Sequence, residues 1–80
     1  MQESLQPLPE ISLGLYRHYR GGLYEVMGVA RHSETLEPLV VYRPIDSDTG
    51  WWVRPHAMFV EMGLFEDRLQ PRFAKLGPEA

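Results

Sequence analysis

Gly50-Trp51-Trp52-Val53-Arg54-Pro55-His56-Ala57-Met58-Phe59 decides how the rest of the chain is read. It holds two indoles, a β-branched residue, a proline, a methionine and a phenylalanine within ten positions. Trp51 and Val53 alternate with Trp52 and Arg54, so a strand here sends one indole to each face. Pro55 stops the ladder because it has no N–H to donate, and its fixed φ suits the first position of a helical turn. From that turn Met58 and Phe59 fold back onto the strand as a plug. A strand, a single tight turn and a returning apolar pair is how a very small β-barrel closes.

Arg54 bears on which face points inward. A guanidinium is costly to bury unpaired, and apolar Val53 shares its face with Trp51. Trp51 and Val53 are therefore the expected core, with Trp52 and Arg54 lining an outer groove. The alternative makes Arg54 an internal anchor, ion-paired to a residue such as Glu34.

Upstream, Leu39-Val40-Val41-Tyr42 is apolar throughout and β-branched at its centre, which reads as a strand. Between it and the tryptophans, Pro44 to Gly50 is turn chemistry at nearly every position. Ser33 to Pro38 is a polar loop. Leu23 to His32 is a strand interrupted by Gly28, expected to mark a bulge or bend where a Cβ crowds the barrel. Leu15 to Tyr19 is the first strand. Gly21-Gly22 supplies the positive φ of a tight hairpin turn, which sets Tyr19 against Tyr24, His18 against Glu25 and Arg17 against Val26.

Residues 1–13 read as an extended arm with Pro7 and Pro9, packing loosely through Leu5 and Leu8, its first few residues mobile. Val60-Glu61 continues as a short last strand. From Met62 to Ala80 the apolar residues Leu64, Phe65, Leu69, Phe73 and Leu76 are spaced for a short helical turn or an irregular tail laid on the barrel. Pro71 excludes a long helix. The expected fold is all-β, a small SH3-like open barrel of four to five antiparallel strands with one short helical turn before the last. The domain occupies 14–61, between the arm 1–13 and the tail 62–80.

Eighty residues make one domain, which buries about 60–65% of its unfolded surface and has a stability of a few kcal/mol. With no cysteine, disulfides, thiolate zinc sites and cysteine nucleophiles are excluded. No secretory leader pattern opens the chain, and no apolar run approaches the roughly 20 residues that span a bilayer. A soluble, cytoplasmic protein without a membrane partner is expected. The net charge of −3 argues against nonspecific nucleic-acid binding. Arg17, Arg20, Arg31, Arg43 and Arg54 precede the acidic Glu66, Asp67 and Glu79, however, so a local basic face is compatible with the acidic total.

Five ordered blocks now form a pattern: Gly14-x-Tyr16-Arg17-His18-Tyr19-Arg20-Gly21; Tyr24-x-Val26; Ala30-x-His32-Ser33-Glu34-Thr35; Leu39-Val40-Val41-Tyr42; and Trp52-Val53-Arg54-Pro55-x-x-Met58-Phe59. Together they resemble the DUF1653 family of small bacterial domains over residues 14 to 61. The resemblance implies a bacterial source and an all-β domain. It implies nothing about activity, since the family's function is unknown.

The polar residues of these blocks are the candidate site: Arg17, His18, Arg20, His32, Glu34, Thr35, Trp52 and Arg54. Arginine forks match carboxylate or phosphate, and indole offers a stacking surface. The same residues have structural uses: His18 as a cross-strand partner of Glu25, Arg54 laid on an indole, Glu34 and Thr35 as loop fasteners. One indole is expected to fill the barrel, and the other to be covered by the tail or exposed as a platform.

His32-Ser33-Glu34 echoes the His-x-Glu of zinc deaminases, but the cysteines those sites require are missing. His18, His32 and His56 lie on different elements without paired ligand spacing, so no metal is expected. Asp46 to Gly50 imitates the start of a calcium loop, yet loop position 12 falls on Ala57 and no helices flank it. Ser33 and Thr35 beside His32 do not give triad geometry. There is no glycine-rich phosphate loop.

These readings converge on a non-enzymatic SH3-like binding module without a cofactor. Its groove is expected to combine Trp52, Arg54, Arg17 and the Ser33 to Glu37 loop. A protein or peptide partner comes first, by analogy with the barrel type. Single-stranded nucleic acid or a nucleotide, held by indole stacking and arginine–phosphate contacts, comes second. A small enzyme or enzyme accessory domain is third.

Overall fold

The structure, a computed structural model, describes residues 5–77. In chain order it contains β1 (Gly14–His18), β2 (Leu23–Arg31), β3 (Pro38–Pro44), β4 (Trp52–Pro55), α1 (His56–Phe59), β5 (Met62–Phe65), β6 (Arg68–Pro71) and β7 (Phe73–Lys75). The fold is all-β. Five strands form one antiparallel sheet in the order β4-β3-β2-β1-β7, and β5 and β6 form a separate hairpin. The sheet curls without closing. Arg54 on β4 lies 5.6 Å from the ring of Phe73 on β7, although the two strands stand at opposite ends of the sheet order.

Phe59 fills the space enclosed by this curl. Its ring stacks on Phe73 at 4.1 Å and meets Tyr16 and Tyr42 edge-on at 5.4 and 5.3 Å. Pro55 stands at the N-cap of α1 with φ −53°, one residue earlier than the position its ring geometry favours on sequence grounds. The turn has four residues, so only one side faces inward: Phe59 is buried, while Met58 is exposed and takes no part in the plug. Tyr16, Val26, Val40, Tyr42 and Phe73 complete the core.

The orientation of the tryptophan strand is the reverse of the expected one. Buried Val40 and Tyr42 pair across the ladder with Arg54 and Trp52, whereas Val53 pairs with Val41 on the outer face. Directly paired residues share a face, so Trp52 and Arg54 belong to the inner side. Trp51 is 65% exposed and Trp52 39%, so neither indole fills the core. The aromatic volume comes instead from Phe59 and Phe73. Arg54 is accommodated because it is only half-buried and its Nε donates to the Tyr42 hydroxyl at 3.2 Å, not to Glu34.

The β1–β2 register is three residues away from the expected one: Tyr16 faces Tyr24, Leu15 faces Glu25 and Gly14 faces Val26. Gly21-Gly22 is part of a longer loop. His18 N–H donates to Gly22 carbonyl at 2.8 Å, Gly21 N–H to His18 carbonyl at 2.7 Å, and Arg20 N–H to the His18 imidazole at 3.1 Å. Gly21 alone of the pair has positive φ, at 109°. Glu25, freed from His18, pairs with Arg43 at 2.6 Å.

A bulge does interrupt β2 beside Gly28, where the β2–β3 register shifts between Val26 and Gly28. The crowding expected there is absent. A Cβ on Gly28 meets nothing within 4 Å. Gly28→Ala should therefore leave stability within about 0.5 kcal/mol of wild type or raise it by up to about 1 kcal/mol, since it removes freedom from the unfolded chain. Urea denaturation measures this, and a loss above about 1 kcal/mol would show that the bulge needs glycine.

The tail is β-structure, not a helical turn or an irregular segment. Glu66 and Asp67, with φ of 55° and 64°, form the turn between β5 and β6. β7 then adds to the edge of β1, pairing Phe73 with His18 and Lys75 with Tyr16. Residues 62 to 77 thus supply three strands and one core ring. Val60 and Glu61 are not strand but connect α1 to β5. Within the described part of the arm, Arg31 donates to the Gln6 carbonyl at 3.0 Å, and Ile11 packs against the core. The arm's expected mobile start, residues 1–4, and the tail's last residues, 78–80, lie outside the described residues.

Candidate functional site

The inner face is aromatic at the end nearest the β1–β2 loop. Strand alternation aims Tyr24, Tyr42 and Trp52 to that side, and β7 adds Phe73. Tyr24 and Tyr42 each lie about 6 Å from Trp52, at 5.9 and 6.0 Å between ring centres. Phe73 lies 5.7 Å from Tyr24 and 5.6 Å from Tyr42. The rings form a continuous floor, with the half-exposed indole at its open margin.

Arg54, His18 and Arg72 stand on or beside this floor. Arg54 is held by the Tyr42 hydroxyl and by Phe73, a geometry in which the ring face favours the guanidinium. Its terminal nitrogens have no carboxylate partner among the described residues. His18 stands edge-on to Phe73 at 4.9 Å and against Tyr19 at 4.4 Å. Tyr19 stacks on Phe65 at 4.4 Å, and Arg72 lies over the same Phe65 at 4.9 Å while pairing with Glu61 at 2.6 Å. The Arg72 Nε is buried and has no hydrogen-bond partner.

These groups act on one another electrostatically. Partial burial holds the His18 pKa below its ordinary value of 6.5, and the positive charges of Arg54, Arg72 and Arg20 lower it further. Both effects favour the neutral imidazole. Its Nδ1 accepts the Arg20 amide, which places the ring proton on Nε2, an assignment made from the hydrogen bond.

Of the residues picked out in the sequence, His18, Trp52 and Arg54 come together here, while Arg20 meets His18 through its backbone amide and carries an exposed side chain. Arg17 is exposed on β1, facing Leu23 and Ala74 across its ladders. His32, Glu34 and Thr35 lie in the β2–β3 loop, at the other end of β2 from Tyr24. The His32 Nδ1 accepts the amides of Glu34 and Thr35 at 3.0 and 3.2 Å, and the Thr35 hydroxyl accepts that of Glu37 at 3.3 Å. The expected groove of Trp52, Arg54, Arg17 and this loop is thus divided between different parts of the surface. Tyr24, Tyr42, Arg72 and Phe73 were not identified as site residues. The adjacent Arg72-Phe73, a cation beside a ring, is the signal the tail offers.

No group of three or more histidines and carboxylates converges as a metal site among the described residues. None of the described helices is long and apolar enough to cross a membrane. A separate hollow of about 250 Å³, lined by Arg43, Ser47, Asp48 and Trp51 among others, lies beside the β3–β4 turn.

Comparison with known proteins bears on the whole of this sheet. The family model described as a protein of unknown function, DUF1653, matches residues 14–75. The match continues through the tail and takes in Arg72 and Phe73. The chain is similar to the crystal structure of a DUF1653 protein from Bordetella bronchiseptica, with 36% sequence identity and a TM-score of 0.76, over 84% of this chain and 88% of that one. No curated protein matches.

Proposed function

The chain belongs to the DUF1653 family, whose function is unknown, and from that premise we propose that it is a non-enzymatic binding module for a protein or peptide partner. The partner is taken on the aromatic and basic face around Trp52 and Arg54. One observation carries this reading: Arg54 is fixed at its Nε by Tyr42, leaves its terminal nitrogens without a carboxylate, and stands on an aromatic floor bordered by a half-exposed indole. Rigid arginine and tryptophan beside each other are the residue types that dominate binding energy at protein interfaces. Chemistry on a substrate would call for a nucleophile or base converging with the imidazole, whose neighbours here are Phe73, Tyr19 and the Arg20 amide.

Display of a random peptide library against the tag-free domain tests the reading. Binders should be recovered, should lose affinity on Trp52→Ala, and should tolerate Arg17→Ala and Thr35→Ala. Trp52→Ala should remain folded with a loss of about 1–2 kcal/mol from its ring contacts, while Trp51→Ala should stay within about 0.5 kcal/mol. Binders indifferent to Trp52 would move the interface elsewhere. Failure to recover peptides, together with tight binding of oligothymidine that weakens steeply with salt, would favour the nucleic-acid alternative.

A further inference from the structure

We propose that Arg54 and Trp52 together read an extended acidic peptide, the guanidinium taking a side-chain carboxylate and the indole a large apolar side chain two positions away. The proposal rests on the binding reading above and names the element that the face selects in its partner.

Arg54 sets the charge of the ligand. Its Nε donates to the Tyr42 hydroxyl at 3.2 Å, and its guanidinium carbon stands 5.6 Å from the centre of the Phe73 ring. Among the described residues the ion pairs join Arg43 to Glu25 and Arg72 to Glu61, and neither reaches Arg54. With Nε engaged, the fork left over is the end-on one formed by the two terminal nitrogens. That fork matches both oxygens of one carboxylate. A phosphate monoester, at about −1.5 to −2 at pH 7, would add uncompensated negative charge to a chain that already carries −3. A nucleic-acid strand brings a charge at every nucleotide and calls for a row of free cations. Arg72, the other arginine stacked on a ring beside this floor, already has Glu61.

Trp52 sets the spacing. It is 39% exposed, and Tyr24 and Tyr42 support it from within the floor. Trp52 and Arg54 share one face of β4, two positions and so about 6.5 Å apart along the strand. An extended peptide repeats its side chains on one face at the same interval. The carboxylate and the apolar side chain of the partner are therefore separated by a single residue. Placed next to each other they would point to opposite sides, and one of the two contacts would be lost.

The test is an NMR titration of the full chain, following the Trp52 indole N–H and the Arg54 Nε–H. The probes are N-acetylated tripeptide amides: phenylalanyl-seryl-glutamate and its reverse order, glutamyl-seryl-phenylalanine. One control replaces glutamate by glutamine, and another brings phenylalanine next to glutamate. One of the two orders should shift both signals together. Its glutamine analogue should bind about tenfold more weakly, having lost the charge-assisted pair. The adjacent-pair peptide should bind several-fold more weakly. Arg54→Gln should erase the difference between glutamate and glutamine, whereas Trp52→Ala should weaken both peptides alike. If Arg54→Gln does not fold, Arg54→Lys takes its place: it keeps the charge, loses the fork and should narrow the preference. Equal affinity of wild type for the glutamate and glutamine peptides overturns the proposal, as does a preference that survives in either Arg54 variant. So does tighter binding of the adjacent pair, or of oligothymidine at the same two signals. Should the library yield Trp52-dependent binders without an acidic residue, the carboxylate assignment falls and the binding module stands. If it yields no binders and the tripeptides move neither signal, both fall.

Discussion

Phe59→Ala should remove a large share of the protein's stability, and all of it if the total is small. Phe59 is 1% exposed and contacts Tyr16, Tyr42 and Phe73, each from a different strand of the sheet. Removing a buried phenylalanine ring costs about 3–5 kcal/mol, because the lost transfer energy is joined by the cavity left behind. A domain of this length has about 4–12 kcal/mol in total. At the lower end of that range the substitution removes everything. Far-UV circular dichroism with urea denaturation measures the effect. Met58→Ala, one residue earlier and exposed, is the matched control and should shift stability by no more than about 0.5 kcal/mol. A Phe59→Ala loss below about 1 kcal/mol with unchanged slope would mean that the sheet closes on itself without its plug.

A chain ending at Glu61 should not fold. Such a truncation removes β7, exposes the edge of β1, and deletes Phe73, which is 5% exposed and stacked on Phe59 at 4.1 Å. Losing that ring alone is comparable to losing Phe59, and the backbone ladder to β1 is lost as well. Amide proton dispersion in a two-dimensional NMR spectrum decides the matter. Native dispersion in the shortened protein would restore residues 14–61 as the folding unit and make the tail an accessory.

The part of the chain that was legible is the part where side-chain pattern and local backbone chemistry coincide. Leu39 to Tyr42 is apolar and β-branched and lies in a strand. Pro55 ends the tryptophan strand and starts the single helical turn. Gly28 lies at a bulge. The tail was misread because its hairpin turns through Glu66-Asp67, which adopt positive φ without the asparagine or glycine that normally signals it. The hairpin register was misread because the His18 imidazole accepts the Arg20 amide and stabilises a longer loop than Gly21-Gly22 suggests. Side chains that fasten their own loop leave no periodic trace.

The tryptophan faces were reversed for a related reason. The tryptophan strand is not the main source of core area: the tail supplies Phe73 and the helical turn supplies Phe59. With the core already filled, Arg54 needed only a hydroxyl, a ring and an open side, and it has all three. Of the candidate site, His18, Trp52 and Arg54 could be found from residue type. Arg72 and Phe73 could not be joined to them, since the contact depends on β7 returning to β1 over more than 50 residues of chain. Residue chemistry proposed the members of the site, and only the topology could select among them.

The pairing of β7 with β1 also decides how the domain responds to a pull. The strands are antiparallel neighbours, and Leu76 N–H still donates to the Leu15 carbonyl at 2.9 Å, so the two ends of the fold leave the sheet side by side. Tension applied across residues 14 and 76 loads the hydrogen bonds between them in succession, as in opening a zipper, and not all at once. β7 detaches first and carries Phe73 away from Phe59, Arg54 and His18, while β2, β3 and β4 remain paired. The aromatic floor is then opened by a force that leaves most of the sheet standing.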